Sequence, residues 1–413
     1  MPLRRRAALA VTATATALLA LAAVPAAPAN AATPPAGLYG ATDPTYDGVW
    51  RQAYALLALH TAGVTPPAAA VRWLGGQQCA DGGFPSYRAD TATACDAKTE
   101  DTNATGIAVQ ALSVLGGHGP AVTKATGWLK SVQNADGGWS YNPGGASDPD
   151  STAVVIGALQ TAGEDTLPAK AGRTPYDALR GFQFGCGAKA ADRGSYGYPA
   201  DGKLAVNAKA TADAVRGARS AGFVVTAPTR DTPLPAAPAC GGAKDPYTSM
   251  TPAAAAQAGA AWLARQLTAG GGHLTAPSPG ATKATPDYGT TADAVVALAA
   301  AGELTAARSA YTWLAANSTA WSHGSPAALS QLILAAHATG NDPRGTGGTD
   351  YVQQLTTLGP AADEPAATAS SAAPEEKKHD SSSSTSTWLI VAVFFIASVG
   401  VGFLLSGRKR RQG

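Results

Sequence analysis

Charge is scarce in this 413-residue chain: Asp, Glu, Lys and Arg together make up 14% of it. So small a supply, beside abundant Ala and Gly, points to tightly packed helices that meet through small residues. The formal net charge of +2 does not argue for nucleic acid. Seven basic residues (Arg4, Arg5, Arg6, Arg408, Lys409, Arg410 and Arg411) stand at the two ends without acidic neighbours, and +2 less those seven leaves −5 for the rest. Cysteine is limited to Cys79, Cys95, Cys186 and Cys240. No LPxTG-like sequence lies near the C-terminus, so anchoring there would fall to a membrane helix.

Both ends carry targeting patterns. Arg4 to Arg6 precede an apolar run ending at Val24, and Ala29-Asn30-Ala31 offers the small-residue pattern of a cleavage site, so residues 1–31 read as a signal peptide. Residues 388–405 contain no charge and are long enough to cross a hydrocarbon core of about 30 Å. The basic tail at 406–413 keeps that end cytoplasmic, which makes the expected topology single-pass type I, with the bulk of the chain outside. Residues 361–387, rich in Ala, Ser, Glu and Lys, read as a solvated stalk. That leaves 32–360 as one extracellular domain. In an exported domain four cysteines imply disulfides. Three pairings exist, and Cys79 with Cys95 and Cys186 with Cys240 are favoured because each staples a loop without crossing repeats.

An internal repeat organises the domain. Gly63, Gly116, Gly163, Gly222, Gly302 and Gly340 each close an apolar helical segment, as left-handed caps do. Eleven residues before them stand Gln52, Thr105, Thr152, Thr211, Thr291 and Leu329. These segments are apolar nearly all round and read as buried inner helices. Between them lie segments with one apolar face, in which Trp73, Trp128, Trp262 and Trp313 share a position. Six inner and six outer helices, with half-pairs at the two ends, imply a ring that closes on itself.

The loops from outer to inner helices carry D-G-G-F at 81–84, D-G-G-W at 136–139 and G-S-Y-G-Y at 194–198. The Q-x-x-D-G-G-W unit at 133–139, followed by D-S-T-A at 150–153, resembles the repeat of squalene cyclases and protein prenyltransferase β subunits. The resemblance spans roughly residues 45–358, is strongest in the second repeat and weak after Gly222, where a Pro-rich insertion (227–247) intervenes. It implies an all-α fold, an (α/α)6 toroid of six helix pairs. It does not fix an activity, because complement thioester domains and vitamin B12 carriers share that toroid.

Candidate chemistry is thin. In the resembling cyclases the central Asp of D-x-D-D-T-A is the general acid, and here Asp150 takes that position while Ser151 replaces the carboxylate beside it. The alternative is that Asp150 or Ser151 caps the helix that follows. The Asp/Cys/His zinc trio of prenyltransferases has no match, so no metal and no cofactor are expected. Gly185-Cys186-Gly187 copies the start of a thioester motif but lacks its Gln. Asp213 and Asp293, in two copies of T-A-D-A-V, are either ligand contacts in the ring or carboxylates placed by the helix dipole. His60 and His337 share a register on inner helices that ring closure makes neighbours, which suits either a metal site or the solvated helix C-termini that favour histidine. Loop aromatics, among them Phe84, Tyr87, Trp139, Tyr141, Tyr196, Tyr198, Tyr288 and Trp321, either line a pocket mouth or pack adjacent repeats together.

The leading expectation is a membrane-anchored, non-catalytic protein that binds a small ligand, a corrinoid among the candidates, or a surface partner protein. The alternatives are an exported terpenoid cyclase-like enzyme using Asp150, and a structural surface protein.

Overall fold

The computed structural model describes residues 35–361 except 165–166 and 278–283. The expected signal peptide, the transmembrane helix, the basic tail and all but the first residue of the stalk lie outside the described residues. Among the described residues no helix is long and apolar enough to cross a membrane.

The fold is helix-rich: α1 (Gly48–Thr61), α2 (Ala68–Gly76), α3 (Thr102–Leu115), α4 (Gly119–Ser131), α5 (Pro149–Thr161), α6 (Pro175–Gly181), α7 (Ala208–Ala218), α8 (Pro252–Ala269), α9 (Tyr288–Ala301), α10 (Leu304–Asn317), α11 (Thr319–Ser322), α12 (Pro326–Thr339) and α13 (Tyr351–Thr357). Strand is confined, among the described residues, to two antiparallel ribbons, β1 (Gly197–Ala200) with β2 (Lys203–Val206) and β3 (Thr275–Ala276) with β4 (Thr285–Pro286). Helix α1 packs on α3, α3 on α5, α5 on α7, α7 on α9, α9 on α12, and α12 returns to α1. These six are buried along nearly their whole length, whereas α2 buries only Ala70 and Leu74.

Local chemistry explains the register. Asp101, Asp148, Asn207, Asp287 and Ser325 are N-caps whose side chains accept backbone N–H bonds at the starts of α3, α5, α7, α9 and α12. Four residues after the first four caps come the in-register threonines. Their hydroxyls accept the backbone N–H of the incoming loop: Phe84 to Thr105 at 2.8 Å, Trp139 to Thr152 at 3.1 Å, Tyr196 to Thr211 at 2.9 Å and Leu274 to Thr291 at 3.0 Å. In the first repeat Gln52 does the same work, its Oε1 accepting from Tyr39 N at 2.8 Å. Each hydroxyl thus ties one loop to one inner helix. Thr211→Val keeps shape but leaves the buried Tyr196 N–H without an acceptor, and should cost about 1–3 kcal/mol in denaturant unfolding. Unchanged stability would contradict this role.

Closure of the ring uses a segment whose role the repeat pattern does not reveal. Gly40 N donates to Leu358 O at 2.9 Å, which joins the start of the domain to the end of α13. Tyr39 is buried there, and a Cβ on Gly359 would lie 2.1 Å from its ring, so only glycine fits. Five of the six repeat glycines have positive φ, as expected of caps; Gly222 does not. Helix α7 ends early, at Ala218, and Ser220 takes the left-handed conformation with φ 57°. Gly222 is required for a different reason, since a Cβ there would meet Gln110 Oε1 at 2.5 Å.

The cysteines pair as Cys79–Cys95 and Cys186–Cys240, and none is free. The second bridge pins the Pro-rich insertion, which also clips to α10 where Asp231 accepts from the backbone and hydroxyl of Thr305. Beneath that clip Glu303 is covered, its Oε1 has no partner among the described residues, and burial, aided by the Asp231 charge, pushes its carboxyl up to about 7. A carboxyl raised in the folded state stabilises at low pH and loses that contribution as pH climbs from its ordinary range, about 4.5, to about 7. Screening by nearby solvent trims the effect to an expected loss on the order of 1 kcal/mol. Glu303→Gln should flatten the melting temperature across that window; an unchanged slope would contradict the assignment.

Candidate active site

The ring brings together residues two before and two after each repeat threonine. The position before holds Trp50, Asn103, Asp150, Lys209, Gly289 and Ala327; the position after holds Tyr54, Ile107, Val154, Asp213, Asp293 and Gln331. Four residues apart, the two share a helix face. On α7 the Lys209 ammonium pairs with Asp213, and it reaches Asp293 Oδ2 on α9 at 3.3 Å. Arg216 binds the other oxygen of Asp213 at 2.9 Å. Gln331, from α12, donates to Asp293 Oδ1 at 3.1 Å. The Arg216 guanidinium lies 4.0 Å from the centre of the Phe223 ring, and Phe223 meets Trp50 and Tyr54 edge-on with centroids 5.5 and 5.0 Å away.

Asp150 stands at the edge of this network. Its Oδ1 is buried and, among the described residues, has no hydrogen-bond partner. Burial pushes its carboxyl well above the usual carboxylate range, the Asp213 charge adds to that, and Lys209 opposes it. Burial also disfavours ionised Asp213, but Lys209 and Arg216 outweigh it and hold that carboxyl low. Asp293 is raised by burial, with partial relief from Lys209. Burial works against the Lys209 charge too, yet its three carboxylate neighbours push its pKa up. Two fixed cations therefore face three carboxyl groups, and the proton that balances them sits best on Asp150. Lys209 keeps 38% of its side-chain surface exposed.

The structure corrects two sequence expectations here. The cap of α5 is Asp148, not Asp150 or Ser151: Asp148 Oδ1 accepts from Ser151 N and its Oδ2 from Ser151 Oγ, both at 2.7 Å. Asp-Pro at 148–149 signalled this, because Pro favours the first helical position and puts the cap just before it. Asp213 and Asp293 are not first-turn carboxylates; each lies deeper and is held by ion pairs or an amide. Lys209 and Arg216 escaped the sequence reading, although their spacings of four and three from Asp213 are those of helical ion pairs.

The candidate aromatics separate. Trp139 and Tyr196 have no exposed surface, and Trp139 Nε1 donates to Leu129 O at 2.7 Å, so both take the packing role; Phe84 does likewise. Tyr141 meets Ser86 Oγ at 3.2 Å. Tyr198, carried by β1, lies within the field of Asp148 and Asp150, and burial first, then those charges, push its phenol up. Trp321 stacks on Tyr288, which stacks on Trp313. Tyr87 stacks on Trp73.

His60 is exposed, and burial lowers the half-buried His337; neither joins a ligand-spaced group among the described residues. The one such group found there is Cys79, Cys95 and Glu100, whose two sulfurs form a disulfide. The Cys186–Cys240 bridge likewise occupies the cysteine of the thioester-like Gly-Cys-Gly. Two surface recesses, of 460 and 680 Å³, are lined by other residues, so the chemistry does not sit in them.

No family model matches the chain. A stretch of 54 residues, 13% of this chain, is 50% identical to part of a Drimenyl diphosphate synthase from Streptantibioticus cattleyicolor, covering 10% of that protein. Among solved structures, ent-Copalyl diphosphate synthase from Streptomyces platensis is similar with a TM-score of 0.45 at 16% identity, over 71% of this chain and 50% of that one. A protein from Actinoplanes gives a TM-score of 0.46 at 16% identity, over 75% of this chain and 95% of that one. The chain thus spans half of the solved synthase and a tenth of the curated relative.

Proposed function

We propose that this chain, terpenoid cyclase-like in its α/α repeat, is an (α/α)6 toroid that protonates an isoprenoid polyene with Asp150. The observation that carries the reading is the buried Oδ1 of Asp150, without a hydrogen-bond partner among the described residues, at the edge of a network with one carboxyl too many for its cations. Such a carboxyl favours its protonated form more strongly than an exposed one, which suits it to act as an acid. The alkene π pair takes that proton, the adjacent carbon becomes cationic, and an internal double bond closes the ring and passes the charge to its far carbon. Loss of a proton from the neighbouring carbon to solvent water ends the reaction with a new double bond. Trp50, half-buried on α1 at the matching register and backed by Tyr54 and Phe223, supplies a π face for the cation. The local match to a Drimenyl diphosphate synthase makes terpenyl diphosphates the first substrates to try.

Carriage of a small ligand is the second reading. It is favoured by Ser151, whose hydroxyl serves Asp148 and leaves Asp150 without an adjoining carboxylate. Incubating full-length protein with polyprenyl diphosphates and uncharged polyenes, followed by mass analysis, separates the two. Protonation predicts cyclised products, with the diphosphate retained where one was supplied; recovery of unchanged polyene favours carriage.

The two disulfides support an oxidising compartment. Export by residues 1–31 and anchoring by residues 388–405 belong to the same proposal. Truncation after residue 387 should move the protein from the membrane fraction to the soluble one, and retention in the membrane would exclude the anchor.

A further inference from the structure

Three groups around Asp150 could in principle tune it: the residue beside it in sequence, the cap, and the facing helices. Ser151 is unable to do so, because both its N–H and its hydroxyl are committed to Asp148. Asp148 is itself a carboxylate and faces the cap. From β1 comes Tyr198, a neutral phenol; from α3, at the matching register, comes Asn103, without charge; from α1 comes Trp50. Helix α9 offers the carboxylate of Asp293, and α7 offers Asp213, Lys209 and Arg216. Arg216 is fixed between Asp213 and the Phe223 ring. Lys209 differs from it. It sits at the same register position as Asp150 on the next helix of the ring, it divides its ammonium between carboxylates on two helices, and its flexible stem retains exposed surface.

We infer that Lys209 is a positioning residue for the proposed reaction: its ammonium compensates the carboxylate left when Asp150 gives up its proton, and so sets the strength of the acid. The inference rests on Asp150 being that acid. Before transfer, two cations balance Asp213 and Asp293, with Asp150 neutral. After transfer three carboxylates share the same two cations, and Lys209 is the one placed to lean toward the third. Without it the conjugate base would stand in an enclosed site beside two other carboxylates, and Asp150 would hold its proton too tightly to protonate an alkene. The direction of the Lys209 influence on Asp150, downward against burial and Asp213, agrees with this placement.

The test is a titration that does not need turnover. In full-length protein the infrared carbonyl band of protonated Asp150 is isolated by subtracting, for each variant, the spectrum of the same variant carrying Asp150→Asn, and its midpoint is followed with pH. Lys209→Met should raise that midpoint by at least one pH unit, Lys209→Arg should bring it back to within about half a unit of wild type, and Asp213→Asn should lower it. If Lys209→Met does not fold, Lys209→Gln decides in its place, because a merely structural lysine predicts no rise in the midpoint on loss of the ammonium. An unmoved or lowered midpoint in Lys209→Met, or an unmoved one in Asp213→Asn, overturns the inference. If the midpoints move as stated but wild type cyclises nothing, the proposed reaction fails while the assignment of Lys209 to Asp150 stands. If wild type does cyclise, Lys209→Met should also shift the pH–rate profile in the same direction as the midpoint.

Discussion

Asp150→Asn is expected to lower turnover of a polyprenyl substrate by about 10²–10⁴-fold, the usual contribution of a general acid, while leaving the melting temperature unchanged or higher. Asn keeps the shape of the side chain but has no proton of suitable acidity. The stability side has a definite sign. Because the folded carboxyl is raised, chiefly by burial, it favours the folded state at low pH and loses that advantage as pH rises through its folded value. The neutral amide does not, so the stability gap between variant and wild type should widen in favour of the variant as pH rises. Turnover retained in Asp150→Asn would remove the acid from the mechanism. A large fall in its melting temperature would mean that Asp150 is structural.

Trp139→Ala should cost about 3–5 kcal/mol, the range for removing a large aromatic from a packed core. Trp139 has no exposed surface, and its indole N–H fills the acceptor of Leu129 O at the end of α4. Its backbone N–H meets Thr152 on α5, so the residue joins an outer helix to an inner one. Truncation opens a cavity and strips a buried carbonyl of its donor. Trp139→Phe should cost less, since most of the volume remains. A ligand-contact role predicts the reverse pattern, near-normal unfolding with lost binding, and chemical denaturation of the two variants distinguishes them.

The ring was legible because its signals are local and repeated. A threonine or its substitute recurs a fixed distance before each glycine, and the structure gives that recurrence a cause in the loop N–H that each hydroxyl accepts. The disulfide pairs followed from which loops each would staple. The site was less legible because its parts meet only through the ring. Asp213 and Asp293 sit in identical T-A-D-A-V sequences, yet Asp213 holds two cations whereas Asp293 shares one and takes an amide from α12. Nothing in the motif distinguishes them. Asp150 read as a cap because capping and acid chemistry use the same residue type at neighbouring positions, and Pro149 was the detail that separates them. Gly222 fell in register with true caps by spacing alone, while the chain had already turned at Ser220.

In the proposed reaction Asp150 starts the chemistry by delivering a proton to carbon. That delivery is tested most directly by incubating the wild-type chain with a polyprenyl substrate in deuterium oxide and locating the label in the product. Asp150 exchanges its proton with solvent, so the account predicts one deuterium per cyclised product, on the carbon of the former terminal alkene, and no labelled product from Asp150→Asn. A cyclised product without deuterium, or with the same label in Asp150→Asn, would contradict it.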